Sequence, residues 1–219
     1  MPVRAWRFES SPAHTSTPVV EQGSLRGTQA QCKRMIIVFT GNGKGKTTAA
    51  LGQAIRAIGN GKKVLMVQFI KGPWESGEHL FLKKFQIPNS KFQIRRTGRG
   101  FVGILGDKLP LNAHKKSAQE GLKLAAKEIK SKKWDLVILD EINNAVGLKL
   151  LRAADVLKII KPISVDQRKN QHQSASVDVI LTGRNAPKSF IKIADIATEM
   201  KEIKHIYRKG ALAKRGIEF

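Results

Sequence analysis

The amino-acid sequence predicts an α/β fold in which helices cover both faces of a mostly parallel sheet. Short, nearly continuous apolar runs rich in β-branched residues are typical of strands that are buried on both faces. These runs alternate with stretches of helical periodicity, as strands and helices do around a parallel sheet. The chain has 219 residues, 41% of them hydrophobic, which suffices for one or two domains with a sizeable core.

The predicted elements follow one another in a regular order. Strands are expected at residues 35–40, 64–69, 92–96, 136–140 and 177–182, and helices at residues 47–58, 113–133, 150–161 and 191–200. An apolar stripe recurs at helical spacing in the second helix, formed by Ala118, Leu122, Ala125 and Ile129. The polar stretch at 164–176 is expected to be an exposed insertion in a single folded domain that spans residues 35–219.

The first 34 residues differ from the rest. They lack sustained apolar periodicity and contain three prolines, so a disordered leader is expected. A transit peptide is an alternative, which Glu9, Glu21 and the prolines weaken. Residues 7–10 are also what the codons CGG-TTC-GAA-TCC encode, and GGTTCGAATCC is the generic T-arm of a transfer RNA gene. One hypothesis is therefore that residues 1–34 are read through from a neighbouring gene and that Met35 is the native start.

The composition is strongly basic. Forty Lys and Arg against 17 Asp and Glu give a net charge of +23, which favours a polyanionic partner such as nucleic acid, an anionic membrane or a phosphorylated ligand. Thirteen basic and three acidic residues place +10 of this charge in residues 35–109, so a site or a face is favoured over a charged tail. A single cysteine, Cys32, excludes an internal disulfide framework. This cysteine usage favours a reducing, cytoplasmic setting. The longest purely apolar run is far shorter than the roughly 20 residues of a membrane helix, so a soluble protein without membrane contact is expected.

A glycine- and lysine-rich loop joins the first strand to the first helix. Its sequence is Thr40-Gly41-Asn42-Gly43-Lys44-Gly45-Lys46-Thr47-Thr48. The glycines let backbone N–H groups turn toward a bound phosphate, and the helix N-terminus adds partial positive charge. Lys46 is expected to reach phosphate oxygens and the Thr47 hydroxyl to ligate Mg²⁺. Thr40 replaces the first glycine of the usual G-x-x-x-x-G-K-[ST] pattern, but the order of strand, loop and helix predicts a nucleotide site in a RecA-like P-loop domain.

A second motif supports the nucleotide site. Residues 136–139 are apolar and run directly into Asp140 and Glu141. This pattern places carboxylates at the end of a buried strand, where P-loop proteins hold Mg²⁺. The two acids are assigned jointly to the metal and nucleotide, because the sequence does not distinguish which one ligates directly.

These motifs and three further segments resemble one family. Residues 38–50, 67–72, 139–141, 181–187 and 214–219 occur in the order and spacing of the P-loop type ATP:corrinoid adenosyltransferases. The resemblance covers residues 35–219 apart from the insertion at 164–176. It implies transfer of the 5′-deoxyadenosyl group of ATP to the cobalt of a reduced corrinoid, cobalamin or its precursor cob(I)yrinic acid a,c-diamide, with triphosphate as the leaving group. It also implies a homodimer and a reductase that supplies electrons.

The resemblance assigns roles to individual residues. Co(I) is the nucleophile in this reaction, so no side chain is needed to activate it, and Lys46, Lys44, the loop amides and Mg²⁺ stabilise the departing triphosphate. Mg²⁺ is expected on Thr47, Asp140 and Glu141. The residues expected to bind ATP are Gly41, Asn42, Gly43, Lys44, Gly45, Lys46, Thr47, Thr48, Arg56, Glu141 and Arg184.

The corrinoid side departs from the family pattern. Family members commonly carry Gly-Phe-Thr-Trp near the corrin, whereas this chain has Gly100-Phe101-Val102-Gly103. Phe101 is retained and is expected to present an apolar face to the corrin or to crowd out its lower ligand. Gly103 stands where the tryptophan would be. Trp74 flanks a strand and is predicted to be a core or rim residue.

Two other activities use the same loop. One is a RecA-like NTPase that binds nucleic acid, which the charge favours; however, the chain has only 13 Phe, Trp and Tyr residues, and they are not interleaved with the basic residues as a stacking groove requires. The other is a small-molecule kinase, which would carry an arginine-bearing lid and a base for the acceptor. The sequence shows no clear lid.

Overall fold

A computed structural model describes residues 34–72, 74–104, 106–161 and 177–206, together with residues 210, 214, 216 and 217. The predictions of a disordered leader and of an exposed insertion at 164–176 fall outside these residues, apart from Arg34. Among the described residues, no helix has the length and apolar character needed to span a membrane.

Within the described residues, six strands form one sheet in which every pairing is parallel. They are β1 (Ile36–Thr40), β2 (Val64–Gln68), β3 (Phe92–Arg96), β4 (Leu136–Asp140), β5 (Asp178–Thr182) and β6 (Ile196–Glu199), and their order across the sheet is β3-β2-β4-β5-β1-β6. The carboxyl ends of all six strands therefore lie at the same edge of the sheet. The predicted parallel α/β fold is confirmed.

In the described parts of the chain, six helices cover the two faces of the sheet. They are α1 (Lys46–Gly59), α2 (Gly77–Lys84), α3 (Leu111–Lys130), α4 (Ile142–Gly147), α5 (Ala153–Ile160) and α6 (Lys188–Ile193). The alternation of side chains along β2 shows how the core divides. Val64 and Met66 pack in a cluster with residues of α1, and Leu65 and Val67 pack in a second cluster with residues of α3 to α6.

The prediction of a helix at residues 191–200 is wrong, because the second half of this segment pairs with the sheet as a strand. Helix α6 ends at Ile193, and residues Ile196–Glu199 form the edge strand β6 beside β1. The Asp195 N–H donates to the Ile36 carbonyl at 2.8 Å, and the Ile36 N–H donates to the Asp195 carboxylate at 2.7 Å. Pairing with the free edge of β1 thus outweighs the helical periodicity of this segment. Helices α2 and α4 were not predicted.

Candidate functional site

The loop between β1 and α1 is packed directly on the chain that follows β6. Gly41 and Gly45 have φ of 96° and 111°, a conformation that glycine adopts readily. The Gly43 N–H donates to the Met200 carbonyl at 2.7 Å, and a Cβ at Gly43 would lie 2.7 Å from the backbone carbon of Lys201. This contact therefore requires a residue without a side chain at position 43.

Lys46 is the first residue of α1, and its side chain folds back over the loop. It is 8% exposed, and its Nζ donates to the Gly43 carbonyl at 2.6 Å. Burial lowers the pKa of Lys46, the nearby Glu141 carboxylate opposes this shift, and the charge of Arg184 adds to it. By contrast, the predicted ATP-binding residues Asn42, Lys44 and Thr48 are exposed. The Lys46 amine is thus buried against the loop, whereas these three side chains face solvent.

Asp140 lies where three elements of the fold meet. It is the last residue of β4 and is fully buried. Its Oδ1 accepts hydrogen bonds from the Thr47 hydroxyl of α1 at 2.9 Å and from the Thr182 hydroxyl of β5 at 2.7 Å. Burial raises the pKa of Asp140, and the two hydroxyl donors oppose that effect. The predicted proximity of Thr47 and Asp140 is therefore present in the structure, and Thr182 is an additional residue of the site.

Glu141 adds a second carboxylate. Its φ is 62°, and its N–H donates to the Thr182 hydroxyl at 3.0 Å. Burial and the adjacent Asp140 carboxylate together raise the pKa of Glu141 to about 7, against the opposing effect of Lys46. The Glu141 Oε2 is buried and has no hydrogen-bond partner among the described residues, so a ligand that supplies positive charge would satisfy it.

The donor set fits a hard divalent cation whose coordination shell is completed by ligands from the substrate. Thr47, Asp140 and Glu141 offer only oxygen atoms, which Mg²⁺ prefers. Within the described parts of the chain, no group of three or more His, Cys, Asp or Glu side chains is placed to hold a metal by itself. Phosphate oxygens and water would therefore have to supply the remaining ligands, as is usual for Mg²⁺ at phosphate sites.

A buried amide next to Asp140 is a site residue that sequence reasoning missed. Gln68 ends β2 and is fully buried. Its Nε2 donates to the Asp140 Oδ2 at 3.2 Å and to the Glu78 carboxylate of α2 at 2.9 Å. Glu78 also forms an ion pair with Lys71. The available signal was a polar residue at the end of an otherwise apolar strand.

The two predicted arginines are placed differently. Arg184 follows β5 at the same edge as the loop; its backbone N–H donates to the Asn144 side chain at 2.5 Å, and its side chain is exposed. Arg56 lies ten residues along α1 from Lys46, which places it about 15 Å along the helix axis, and it is exposed in the last turn. The structure therefore brings Arg184 to the site and leaves Arg56 away from it.

Phe101 lies at the same carboxyl edge of the sheet, but near the other end of the row of strands. It follows β3, which is separated from β1 by four strand spacings, about 19 Å laterally. Phe101 is 45% exposed, and its ring centroid lies 6.1 Å from that of Trp74 in the loop between β2 and α2. The edge thus has a polar phosphate-type site at one end and an exposed aromatic pair at the other.

The chain is similar to known proteins along most of its length. Residues 32–219 match the family described as ATP:corrinoid adenosyltransferase BtuR/CobO/CobP. The corrinoid adenosyltransferase of Escherichia coli (strain K12) is 36% identical over 202 residues, which are 92% of this chain and 94% of that protein. Corrinoid adenosyltransferase CobA of Salmonella typhimurium is 37% identical over 203 residues, again 92% and 94%. The corrinoid adenosyltransferase of Pseudomonas aeruginosa is 35% identical over 213 residues, 97% of this chain and 94% of that protein.

Proposed function

The chain belongs to the ATP:corrinoid adenosyltransferase family, and we propose from this premise that its site transfers the 5′-deoxyadenosyl group of ATP to the Co(I) of cobalamin or a precursor corrinoid. The observation that carries the proposal is the arrangement of the carboxyl edge of the sheet. A phosphate loop with the buried Lys46 lies at one end, and exposed aromatic rings lie at the other. One edge can therefore hold a triphosphate and a large apolar acceptor together.

In this reaction the protein must stabilise the leaving group, whereas the nucleophile needs no activation. Co(I) attacks the ribose C5′ with its own electron pair, a Co–C bond forms, and the C5′–O bond breaks with its electron pair passing to the triphosphate. No proton has to be removed from the attacking atom, so no general base is required. The negative charge that develops on the triphosphate is what the chain must stabilise.

Lys46 and the loop amides are proposed to stabilise that charge. The Lys46 amine is buried and already oriented over the loop by its bond to the Gly43 carbonyl at 2.6 Å. A donor that is fixed and desolvated before the reaction loses little energy in reorganisation and interacts strongly with developing charge. Lys44 and Arg184 are exposed near the same loop, and we propose that they contact the outer phosphate oxygens.

The proposed metal is Mg²⁺, held by Thr47, Asp140 and Glu141. When bound, it would neutralise phosphate charge. Two features fit it: the buried Oε2 of Glu141, which has no hydrogen-bond partner among the described residues, and the hydrogen bond between Thr47 and Asp140. Asp140→Asn should therefore raise the Mg²⁺ concentration needed for half-maximal activity, whereas an unchanged Mg²⁺ requirement would contradict this role.

Several finer features of the assignment are also proposals. Because Co(I) must be generated by reduction, a reductase is the expected electron donor. A cytoplasmic homodimer is proposed on the family resemblance, and light scattering of the purified protein tests the dimer. A nucleic-acid-dependent NTPase gains no support from the family to which the chain belongs.

One assay tests the activity directly. The full chain is incubated with ATP, Mg²⁺ and chemically reduced cobalamin, and the visible spectrum is followed. We expect a light-sensitive alkyl-cobalt product and one triphosphate per adenosyl group transferred. The absence of this product, together with ATP hydrolysis stimulated by DNA or RNA, would refute the proposal.

A further inference from the structure

Trp74 and Phe101 form an exposed aromatic pair from two different loops. Trp74 lies between β2 and α2, and Phe101 follows β3. Their side chains are 52% and 45% exposed, and the rings lie 6.1 Å apart at an interplanar angle of 31°. This separation is within the range of interacting aromatic pairs, yet both rings keep much of their surface open to solvent.

The position of the Trp74 ring depends on two glycines beneath it. A Cβ at Gly72 would lie 2.6 Å from the ring carbons Cη2 and Cζ3, and a Cβ at Gly100 would lie 3.0 Å from Cη2. The Arg96 guanidinium also donates to the Trp74 carbonyl at 2.9 Å. The Trp74 ring therefore packs against the backbone of two glycines, and the Trp74 carbonyl is hydrogen-bonded to the last residue of β3.

The loop after β3 is itself tied to the loop after β2. The Gly100 N–H donates to the Ile70 carbonyl at 3.1 Å, and a Cβ at Gly98 would lie 2.4 Å from the Ile70 carbonyl carbon. Thus the two loops approach each other at backbone distance. The pairing of Trp74 with Phe101 is consequently a product of how the two strands end.

Gly103 contributes no ring to this pair. Its φ is 69°, and a Cβ added there would meet none of the described residues within 4 Å. The aromatic partner of Phe101 is therefore Trp74, which comes from a segment nearly thirty residues earlier in the chain.

We propose that Trp74 is a corrinoid-binding residue, which presents, together with Phe101, an apolar surface to the corrin macrocycle of the acceptor substrate. This inference rests on the proposed function. Two adjacent exposed rings leave apolar area in water, and covering that area with a flat, largely apolar macrocycle is favourable. The pair lies at the same sheet edge as the phosphate loop, so an acceptor seated on it remains on the side where ATP binds.

Substitution of Trp74 tests the proposal. Trp74→Leu removes the ring, Trp74→Met is a second non-aromatic variant, and Trp74→Phe restores an aromatic ring. The control is Phe85→Leu, because Phe85 is also an exposed aromatic, 60% exposed and paired with Phe81 at 4.8 Å on α2. Thermal unfolding is measured for every variant, so that affinities are compared among folded proteins.

Two readouts separate corrinoid binding from the rest of the reaction. Equilibrium dialysis with Co(II) cobalamin in the presence of ATP measures corrinoid affinity without turnover, and steady-state kinetics give KM for each substrate. We expect Trp74→Leu and Trp74→Met to weaken cobalamin binding about ten-fold and to change the KM for ATP less than two-fold. Trp74→Phe should recover most of the affinity, and Phe85→Leu should resemble the wild type.

Cobalamin affinity equal to wild type in either folded non-aromatic variant would overturn the proposal. Should Trp74→Leu fail to fold, Trp74→Met and the comparison with Trp74→Phe decide the same question. Failure of the wild-type protein to adenosylate any reduced corrinoid would instead refute the proposed function, and the two failures are therefore distinguishable.

Discussion

Gln68 and Asp140 lie directly opposite each other in neighbouring parallel strands, and the Gln68 amide donates to the Asp140 carboxylate at 3.2 Å. Both side chains are fully buried. The same amide nitrogen donates to Glu78 at 2.9 Å. Gln68 therefore links an acid of the phosphate site to the first turn of α2, and it restricts the orientation of the Asp140 carboxylate from the side opposite Thr47.

The first prediction concerns this amide. Gln68→Met keeps the length of the side chain but removes its donors, so Asp140 and Glu78 each lose one hydrogen bond. Because the Gln68 Oε1 has no hydrogen-bond partner in the part of the chain that the structure describes, only the bonds that the amide donates are lost, and we expect a loss of stability of about 1–3 kcal/mol. Loss of a group that orients a metal ligand typically weakens metal binding 10–100-fold. The Mg²⁺ concentration needed for half-maximal activity should therefore rise by roughly ten-fold.

A matched substitution one strand away is the control. Gln93→Met makes the same chemical change at a half-buried position of β3. We expect it to leave the Mg²⁺ requirement unchanged, as measured by Mg²⁺ titration of adenosyl transfer at saturating ATP. Equal Mg²⁺ curves for Gln68→Met and the wild type would show that Gln68 does not orient Asp140.

The second prediction concerns the pH dependence of stability through Glu78. Burial by itself would raise the pKa of Glu78, but the ion pair with Lys71 and the hydrogen bond from Gln68 lower it to about 2. A carboxyl whose folded pKa lies below its unfolded value stabilises the protein above the unfolded pKa, and this stability is lost as the pH falls toward the folded pKa. Relative to the ordinary value of 4.5, the contribution is at most about 3 kcal/mol.

Glu78→Gln should therefore be less stable than the wild type at pH 7 by up to that amount. The difference should shrink below pH 4.5 and vanish near pH 2, and urea unfolding at several pH values measures it. Glu75→Gln is the control, because the Glu75 ion pair with Lys83 is exposed, and such pairs contribute little. A stability difference that stays constant between pH 7 and pH 3 would contradict the role of Glu78.

The third prediction compares two glycines. In Gly43→Ala the new methyl group would lie 2.7 Å from the Lys201 backbone and 2.8 Å from the Met200 carbonyl, so the loop must move away from the chain after β6. We expect weaker ATP binding by at least about ten-fold and lower thermal stability. In Gly52→Ala, by contrast, the methyl group on the exposed side of α1 meets no described atom within 4 Å, and helix propensity predicts a gain of about 1 kcal/mol.

Calorimetric titration with a non-hydrolysable ATP analogue measures both variants. Gly52→Ala should bind it as the wild type does. If Gly43→Ala bound with wild-type affinity, contact between the loop and residues 200–201 would not be needed for the nucleotide site.

The parallel sheet and the phosphate loop were accessible from the sequence because local patterns encode them. Residues 136–139 are all apolar, which marks a buried strand, and Gly45-Lys46-Thr47 fixes a loop conformation by residue type alone. Thr47 and Asp140 were expected to meet because both were assigned to one Mg²⁺ site, and their side-chain oxygen atoms lie 2.9 Å apart.

The missed features depend on contacts between segments distant in the chain. The hydrogen bonds of Gln68 depend on which strand lies beside β2, and no local pattern contains the strand order. The same holds for Trp74, whose ring meets Phe101 only because the loops after β2 and β3 approach each other. Residues 196–199 were predicted as helix for a related reason, since their strand conformation is imposed by the free edge of β1.

The last prediction separates the two lysines of the phosphate loop. Lys46 is buried and bonded to the Gly43 carbonyl at 2.6 Å, whereas Lys44 is exposed. A fixed, desolvated donor stabilises developing charge more than a solvated one does. We therefore expect Lys46→Ala to lower kcat by roughly 10²–10³-fold, in the range observed for single preorganised donors, and Lys44→Ala to lower it much less.

Lys46→Arg is the matched control for charge. It keeps the positive charge but needs more space in a buried position, so it should recover little of the lost rate, since position matters as well as charge. Single-turnover adenosyl transfer at saturating ATP and reduced cobalamin measures the chemical step, and thermal unfolding verifies that each variant is folded. Equal single-turnover rates for Lys46→Ala and Lys44→Ala would show that the buried amine has no special part in stabilising the departing triphosphate.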